Sequence, residues 1–190
     1  MGKSASGKDK ICERLLANED LQLLNLLLYT TRPIRSGETD GQQYHFVTEA
    51  ELQRLRLEGK IIEERTYQTA RGPWTYFTAD AGIDLSSGNY IAIGTLVSFQ
   101  KLCNFYGREA ILPVYIDVTD ELLMERAMKR EKKQEIPNYK ELCRRFLADS
   151  EDFSEERIKE AGITRRFPNN GEFEDCLQEI QDFIGGIIHG

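Results

Sequence analysis

Two short stretches of the chain contain residue types that could hold phosphate groups, and the first lies at the N-terminus. Gly2 and Gly7 precede Lys8, so residues 2–8 fit the pattern G-x4-G-K. In loops of this kind, backbone amides and the N-terminus of the next helix surround the phosphates, and the lysine neutralises part of their charge. The stretch by itself leaves a flexible Gly/Ser-rich start to the chain as an alternative. The helical pattern after Gly7 favours the phosphate loop.

The phosphate-loop pattern departs from its usual form in two respects. A serine or threonine that binds Mg²⁺ normally follows the lysine, whereas Asp9 and Lys10 follow it here. A carboxylate can also bind Mg²⁺, but it places a negative charge beside a triphosphate. The pattern also needs a strand that leads into the loop, and only Met1 precedes Gly2. We therefore expect that the start of the chain is set too late or is shortened, so that the first strand of the sheet is missing.

The second stretch runs from Tyr29 to Val47 and contains two arginines. Arg32 and Arg35 present two guanidinium groups, which suit bidentate binding of a monophosphate, and Tyr44 can add a hydroxyl donor. The order of residues resembles the T-T-R-x-x-R-x-G-E-x-x-G-x-x-Y-x-F segment of guanylate kinases, matched without a gap. A solvated loop with two incidental arginines is the alternative interpretation.

Further residues of an acceptor site are implied by this resemblance. Guanylate kinases hold the monophosphate on a small sheet where an acidic residue binds guanine, and Glu63 falls at that position. Tyr76 and Thr78 resemble the tyrosine and the hydroxyl residue that contact phosphate and base, although Tyr76 could instead be a half-buried aromatic of the sheet. Thr95 stands where the family has an aspartate that reads guanine. Because threonine accepts a hydrogen bond without charge, we expect relaxed selectivity for guanine.

A third group of residues resembles the arginine-bearing lid of the same family. Arg126 and Arg130 are four residues apart, so they share one face of a predicted helix, and Arg145 lies on the next helix. Phosphoryl transfer requires positive charge over the transferring group. A solvated, salt-bridged helix face is the alternative interpretation. Asn169 or Asn170, after the last predicted strand, resembles the position that touches adenine.

The composition restricts the class of protein. The chain has 190 residues, of which 40% are hydrophobic and 30% charged, as expected for one globular domain. A net charge of -7 argues against a nucleic-acid binder, which needs a basic face. The sequence has neither a basic-then-apolar leader nor an apolar run of membrane-spanning length, so we expect a cytoplasmic protein without membrane contact. The four cysteines are expected to be reduced and buried, and the two histidines make a His-based metal site unlikely.

Hydrophobic patterns predict the elements that must position these residues. Helices are predicted at 7–17, 49–58, 96–106, 120–133, 139–160 and 172–188, and strands at 23–29, 44–47, 90–95, 112–118 and 162–167, with two or three short strands within 60–80. This alternation indicates an α/β fold built from parallel βαβ units. The resemblance implies that it is a P-loop NTPase-type parallel sheet flanked by helices, with a small mixed-β monophosphate-binding insert and a helical lid. We predict one guanylate kinase-like domain, with its core at 1–31 and 89–190, the insert at 32–88 and the lid at about 126–145.

The resemblance implies a nucleoside monophosphate kinase that transfers the γ-phosphoryl group of ATP to GMP or dGMP, with Mg²⁺ as cofactor. The predicted ATP-binding residues are Gly2, Ser4, Ala5, Ser6, Gly7, Lys8, Asp9, Lys10 and Asn169, with Asp9 also the Mg²⁺ ligand. The predicted GMP-binding residues are Arg32, Arg35, Tyr44, Glu63, Tyr76, Thr78 and Thr95, and the predicted catalytic residues are Lys8, Arg126, Arg130 and Arg145. The expected partners are small-molecule nucleotides only, and the expected assembly is a monomer or homodimer. Two alternatives stay open: a catalytically weak homologue that binds a partner or senses GMP, and a kinase for another nucleoside monophosphate.

Overall fold

A computed structural model describes residues 1–35, 37–42, 44–69 and 72–190. The helices are α1 (Lys8–Leu16), α2 (Glu49–Leu57), α3 (Leu96–Tyr106), α4 (Asp120–Glu131), α5 (Tyr139–Asp152), α6 (Glu155–Glu160) and α7 (Phe173–Ile188). The strands are β1 (Leu23–Asn25), β2 (Tyr29–Thr30), β3 (His45–Phe46), β4 (Ile61–Thr69), β5 (Gly72–Ala79), β6 (Asn89–Ile91), β7 (Tyr115–Asp117) and β8 (Arg166–Pro168). The mixture of helices and parallel strands confirms the predicted α/β fold.

The strands of the core form two separate parallel pairs. Strand β1 pairs with β6, and β7 pairs with β8. Within the described ranges, no strand pairs with both β6 and β7. A cavity of about 610 Å³ is lined by residues from both pairs, including Ile91 of β6 and Ile116 of β7. The carbonyl of Met1 accepts a hydrogen bond from the amide of Ile116 at 2.9 Å, so the phosphate loop begins against β7.

Apolar helix faces cover these pairs. Ile11 and Leu15 of α1 pack with Ile116 and with Phe167 of β8, and Ile180 of α7 joins the same cluster. The spacing of the two α1 residues, one helical turn apart, explains how one stripe of that helix is buried. None of the helices in the described part of the chain is both long and apolar enough to cross a bilayer.

A four-stranded mixed sheet is inserted in the chain between β1 and β6, with the strand order β3-β2-β5-β4. Strands β4 and β5 are antiparallel, so that Glu63 lies opposite Thr78 and Arg65 opposite Tyr76. Helix α2 covers this sheet through Leu52 and Leu55 (0% and 1% exposed). The two long strands differ from the two or three short ones predicted within 60–80.

Other predicted boundaries change for local reasons. The predicted strand at 23–29 is interrupted, because only Leu23–Asn25 and Tyr29–Thr30 pair. The predicted helix at 139–160 ends at Asp152, and the hydroxyl of Ser154 caps a new helix by accepting from the amide of Arg157. The expectation of four buried cysteines is wrong for Cys143, which is exposed on α5, and for Cys103, which is only half-buried on α3.

Candidate functional site

The phosphate loop turns into α1 through a glycine that a larger residue could not replace easily. Gly7 is the N-cap residue of α1 and has φ +91°, a left-handed conformation that favours glycine. A Cβ atom added there would lie 2.8 Å from the side-chain nitrogen of Asn169. Asn169 itself is buried (2% exposed), and its Nδ2 donates to the carbonyl of Ser6 at 2.8 Å. Asn169 thus holds the loop through its hydrogen bond to Ser6. Its contact with adenine stays a prediction.

Some hydrogen-bonding groups of the phosphate loop have no partner among the described residues, and others are already paired. The hydroxyl of Ser6 is buried and has no hydrogen-bond partner among the described residues. No side chain caps the N-terminus of α1, so its first amides can meet an anion. The amide of Ser4, in contrast, donates to a carboxylate oxygen of Asp149 on α5 at 2.6 Å. A carboxylate therefore already accepts the hydrogen bond of one backbone amide that could donate to a phosphate.

A second cavity, of about 440 Å³, joins this loop to the lid helices. Its lining includes Lys3 and Ser4 of the loop, Arg130 of α4, and Arg145 and Asp149 of α5. The structure thus brings two of the three predicted lid arginines to the phosphate loop.

The remaining predicted catalytic residues lie elsewhere around the loop. Arg126 donates to the backbone carbonyl of Asn169 at 3.0 Å. Lys8 lines the first cavity, between the strand pairs, and is not among the residues that line the lid cavity. In this conformation Lys8 lines a different cavity from Arg130 and Arg145.

The residues at the start of α1 fit a magnesium ion that also contacts phosphate. Asp9 lies in the first turn of α1 and is exposed, so its carboxylate oxygens are accessible beside the loop. No cluster of three or more metal-ligating side chains occurs in the described residues. Magnesium commonly uses one or two carboxylates and completes its shell with water and substrate phosphates. A single carboxylate at this place is compatible with that donor set.

The first predicted acceptor residue, Arg32, is buried and paired. Its side chain is 3% exposed, and its two terminal nitrogens each donate to an oxygen of Glu38 at 2.8 Å. The Arg32 guanidinium, together with the backbone amide of Arg35, lowers the pKa of the Glu38 carboxyl to about 2. The Nε of Arg32 is buried without a hydrogen-bond partner among the described residues. Glu38 therefore holds the guanidinium in place and leaves one buried donor unused.

Aromatic rings surround this arginine. The Arg32 guanidinium lies 5.6 Å from the ring of Tyr44 and 5.2 Å from that of Phe46. Tyr44 in turn meets Tyr76 edge-on, with the ring centres 5.7 Å apart. Arg35 is exposed at the rim. The structure thus brings Arg32, Tyr44 and Tyr76 together. Their binding of a phosphate stays a prediction.

The predicted base-binding residues form a separate polar cluster. The Oε1 atom of Glu63 accepts from the hydroxyl of Ser98 at 2.8 Å and from the hydroxyl of Thr78 at 3.4 Å. Thr95 is the N-cap residue of α3, and its Oγ1 accepts from the amide of Ser98 at 3.2 Å. Thr95 therefore touches the cluster through Ser98, and its role as a base contact stays a prediction.

Three residues of the site escape prediction from the sequence. Glu38 lies inside the arginine motif, so its proximity to Arg32 could have been found there. Ser98 has a weaker signal: it is a polar residue on the otherwise apolar first turn of α3. Asp149 has none, because its contact with Ser4 spans 145 positions of the chain.

Comparisons with known proteins show similarity to guanylate kinases. The family model described as guanylate kinase matches residues 1–72, which contain the phosphate loop, the arginine motif and Glu63. A guanylate kinase of Schizosaccharomyces pombe is 44% identical over 62 residues, 33% of this chain and 31% of the relative. A guanylate kinase of Bdellovibrio bacteriovorus is 40% identical over 60 residues, 32% of each. The chain thus spans about a third of the length of these relatives.

Longer matches extend the similarity beyond the first third. A guanylate kinase of Paraburkholderia xenovorans is 28% identical over 188 residues, 95% of this chain and 75% of the relative. The crystal structure of guanylate kinase from Anaplasma phagocytophilum superposes with a TM-score of 0.64 at 20% identity, over 100% of this chain and 85% of that one. The structural match supports the fold.

Proposed function

We propose that this chain is a member of the guanylate kinase family, which its sequence matches support, and that it transfers the γ-phosphoryl group of ATP to GMP or dGMP, giving ADP and GDP. The observation that carries the proposal is the position of Arg32. A buried guanidinium with an unused Nε donor, ringed by Tyr44 and Tyr76, matches the chemistry of a monophosphate. Glu63 lies on the same sheet, where a base attached to that phosphate could reach it.

The donor nucleotide is assigned to the phosphate loop. ATP would place its phosphates against the amides of residues 2–10, with Lys8 neutralising charge. Closure of the lid would bring Arg126, Arg130 and Arg145 over the transferring group, where they stabilise the charge that develops there. Magnesium, held through Asp9 and the phosphates, would neutralise further charge.

The acceptor nucleotide is assigned to the insert. Arg32, Arg35, Tyr44 and Tyr76 would hold its phosphate, and Glu63, Thr78 and Thr95 would surround its base. No covalent intermediate and no dedicated general base are required, since positioning and electrostatic stabilisation carry this reaction.

Two rival functions have support from specific residues. Asp9 in place of a hydroxyl residue, and the carboxylate of Asp149 on the Ser4 amide, favour a weakly active homologue that binds nucleotides. Thr95, which caps α3 where the family has an aspartate, favours a different acceptor base. The arginines at the phosphate loop favour the kinase over the first rival.

The test is ADP formation from ATP and Mg²⁺ in a coupled assay, with GMP, dGMP, AMP, CMP and UMP compared as acceptors. We expect turnover with GMP and dGMP. Highest activity with a pyrimidine monophosphate or AMP would refute the GMP assignment. Nucleotide binding without ADP formation from any acceptor would favour the binding protein.

A further inference from the structure

The carboxylate of Glu63 is already heavily occupied on one oxygen. Its Oε1 accepts from Ser98 Oγ at 2.8 Å, from a terminal nitrogen of Arg65 at 3.2 Å, and from Thr78 Oγ1 at 3.4 Å. Glu63, Thr78 and Ser98 are buried (7%, 3% and 4% exposed), so water competes little for these positions. All three hydrogen bonds converge on the same atom.

The fold determines this convergence. Glu63 and Arg65 are two positions apart on β4, so their side chains share one face, and Thr78 lies opposite Glu63 on β5. Ser98 comes from the first turn of α3, and its hydroxyl lies 3.2 Å from the Thr95 hydroxyl and 3.3 Å from Arg65. These contacts fix the Ser98 hydroxyl in the position where it meets Oε1.

The occupied oxygen restricts what Glu63 can offer to a base. A carboxylate has about four acceptor positions, two on each oxygen, so three donors exhaust Oε1. In the described residues, no donor to Oε2 is recorded. Glu63, Thr78, Thr95 and Ser98 also line the cavity of about 610 Å³, where a base could approach.

Guanine presents two neighbouring N–H groups, the ring N1–H and the 2-amino group, which need two acceptor oxygens side by side. Hypoxanthine presents the same N1–H without the amino group. Adenine presents an unprotonated N1, which a carboxylate repels. A carboxylate with one available oxygen can therefore accept a hydrogen bond from N1–H, but it gains little from the 2-amino group.

On the basis of the proposed function, we propose that the acceptor site recognises 6-oxopurine nucleoside monophosphates in general, through N1–H and Glu63 Oε2. Ser98 is a positioning residue that occupies Oε1 and thereby makes the site accept IMP nearly as well as GMP.

The experiment compares GMP, IMP and AMP, by kcat and KM in the ADP assay and by calorimetric binding. For the unmodified chain we expect kcat/KM for IMP within about tenfold of that for GMP, and no detectable use of AMP. In Ser98→Ala, Oε1 loses its shortest hydrogen bond and keeps only the longer ones from Arg65 at 3.2 Å and Thr78 at 3.4 Å, so the 2-amino group can compete for this oxygen. We expect the preference for GMP over IMP to rise by about fivefold or more, through a lower KM for GMP with little change in kcat, as a hydrogen bond to a charged group would give.

The control is Ser87→Ala, in the exposed turn before β6, which should leave the ratio unchanged. A preference for GMP above about a hundredfold in the unmodified chain, or an unchanged ratio in a folded Ser98→Ala variant, would overturn the inference. Equal binding of GMP and IMP without ADP formation would refute the kinase and uphold the inference. Failure to bind either nucleotide would refute the inference as well.

Discussion

At the scale of single residues, the guanidinium that we propose binds the acceptor phosphate is already paired with a carboxylate. Glu38 uses both of its oxygens on Arg32, and the resulting pair lies in a ring of aromatic side chains. Such a pair aligns the guanidinium before the ligand arrives, so less side-chain entropy is lost on binding. The Nε of Arg32 has no hydrogen-bond partner within the described part of the chain, so a phosphate oxygen can accept a hydrogen bond from it.

We expect Arg32→Ala to weaken GMP binding by about 2 kcal/mol or more, because a charge-assisted contact is lost and Glu38 is left without its partner. Isothermal titration calorimetry measures the effect. Arg14→Ala is the matched control, since Arg14 forms an exposed pair with Glu174 and such pairs contribute little. Unchanged GMP affinity in folded Arg32→Ala would show that the phosphate lies elsewhere.

At the scale of elements, the lid helix α5 holds the phosphate loop through Asp149. The carboxylate at the Ser4 amide occupies a donor that a nucleotide phosphate would use, and its charge repels a triphosphate. We expect Asp149→Asn to tighten ATP binding by about threefold to tenfold, since the neutral amide competes less well for that donor. Asp152→Asn, on the same helix but paired with Arg157, should have no effect. Weaker ATP binding by Asp149→Asn would mean that Asp149 shapes the loop for the nucleotide.

The insert depends on a second element, helix α2, for its stability. Leu52 is fully buried against the insert sheet, whereas Leu57 on the same helix is 90% exposed. We expect Leu52→Ala to lower the free energy of unfolding by about 2–5 kcal/mol, through lost apolar contact and a residual cavity. Leu57→Ala should change it by less than about 0.5 kcal/mol. Urea denaturation of both variants, followed by circular dichroism, makes the comparison, and equal losses would contradict this packing.

At the scale of the whole molecule, the sequence predicts some features better than others, for physical reasons. Local signals suffice for α1, for the Thr48-capped α2 and for the α/β alternation, because they depend on neighbouring residues. The arginine motif also identifies Arg32 and Tyr44, which lie twelve positions apart. The contacts of Asp149 with Ser4 and of Ser98 with Glu63 depend on how distant elements pack, and no local pattern encodes them. The boundary between α5 and α6 is set locally by the capping residue Ser154. The charged residues on both sides of this serine continue a helical pattern, so the sequence predicts one helix there.

The arrangement of strand pairs has a consequence for the surface of the folded protein. Between β6 and β7, the cavity of about 610 Å³ is lined on several sides by isoleucine and leucine side chains. Ile187 of α7 lies at this cavity and is 54% exposed. Apolar surface of this kind binds the dye ANS, which fluoresces when it leaves water. We therefore expect the native protein to bind ANS while its near-ultraviolet circular dichroism shows fixed tertiary packing.

A pair of charge substitutions locates the dye. We expect Ile187→Glu to reduce ANS fluorescence by at least about half, because a carboxylate at the cavity opposes both the apolar ring and the negative charge of the dye. Leu57→Glu should leave the fluorescence unchanged, since Leu57 is equally apolar but lies on α2 and does not line this cavity. Both positions are more than half exposed, so neither change should unfold the chain. If Leu57→Glu lowers the signal and Ile187→Glu does not, the dye binds the insert, and the cavity between the strand pairs is closed to solutes of this size.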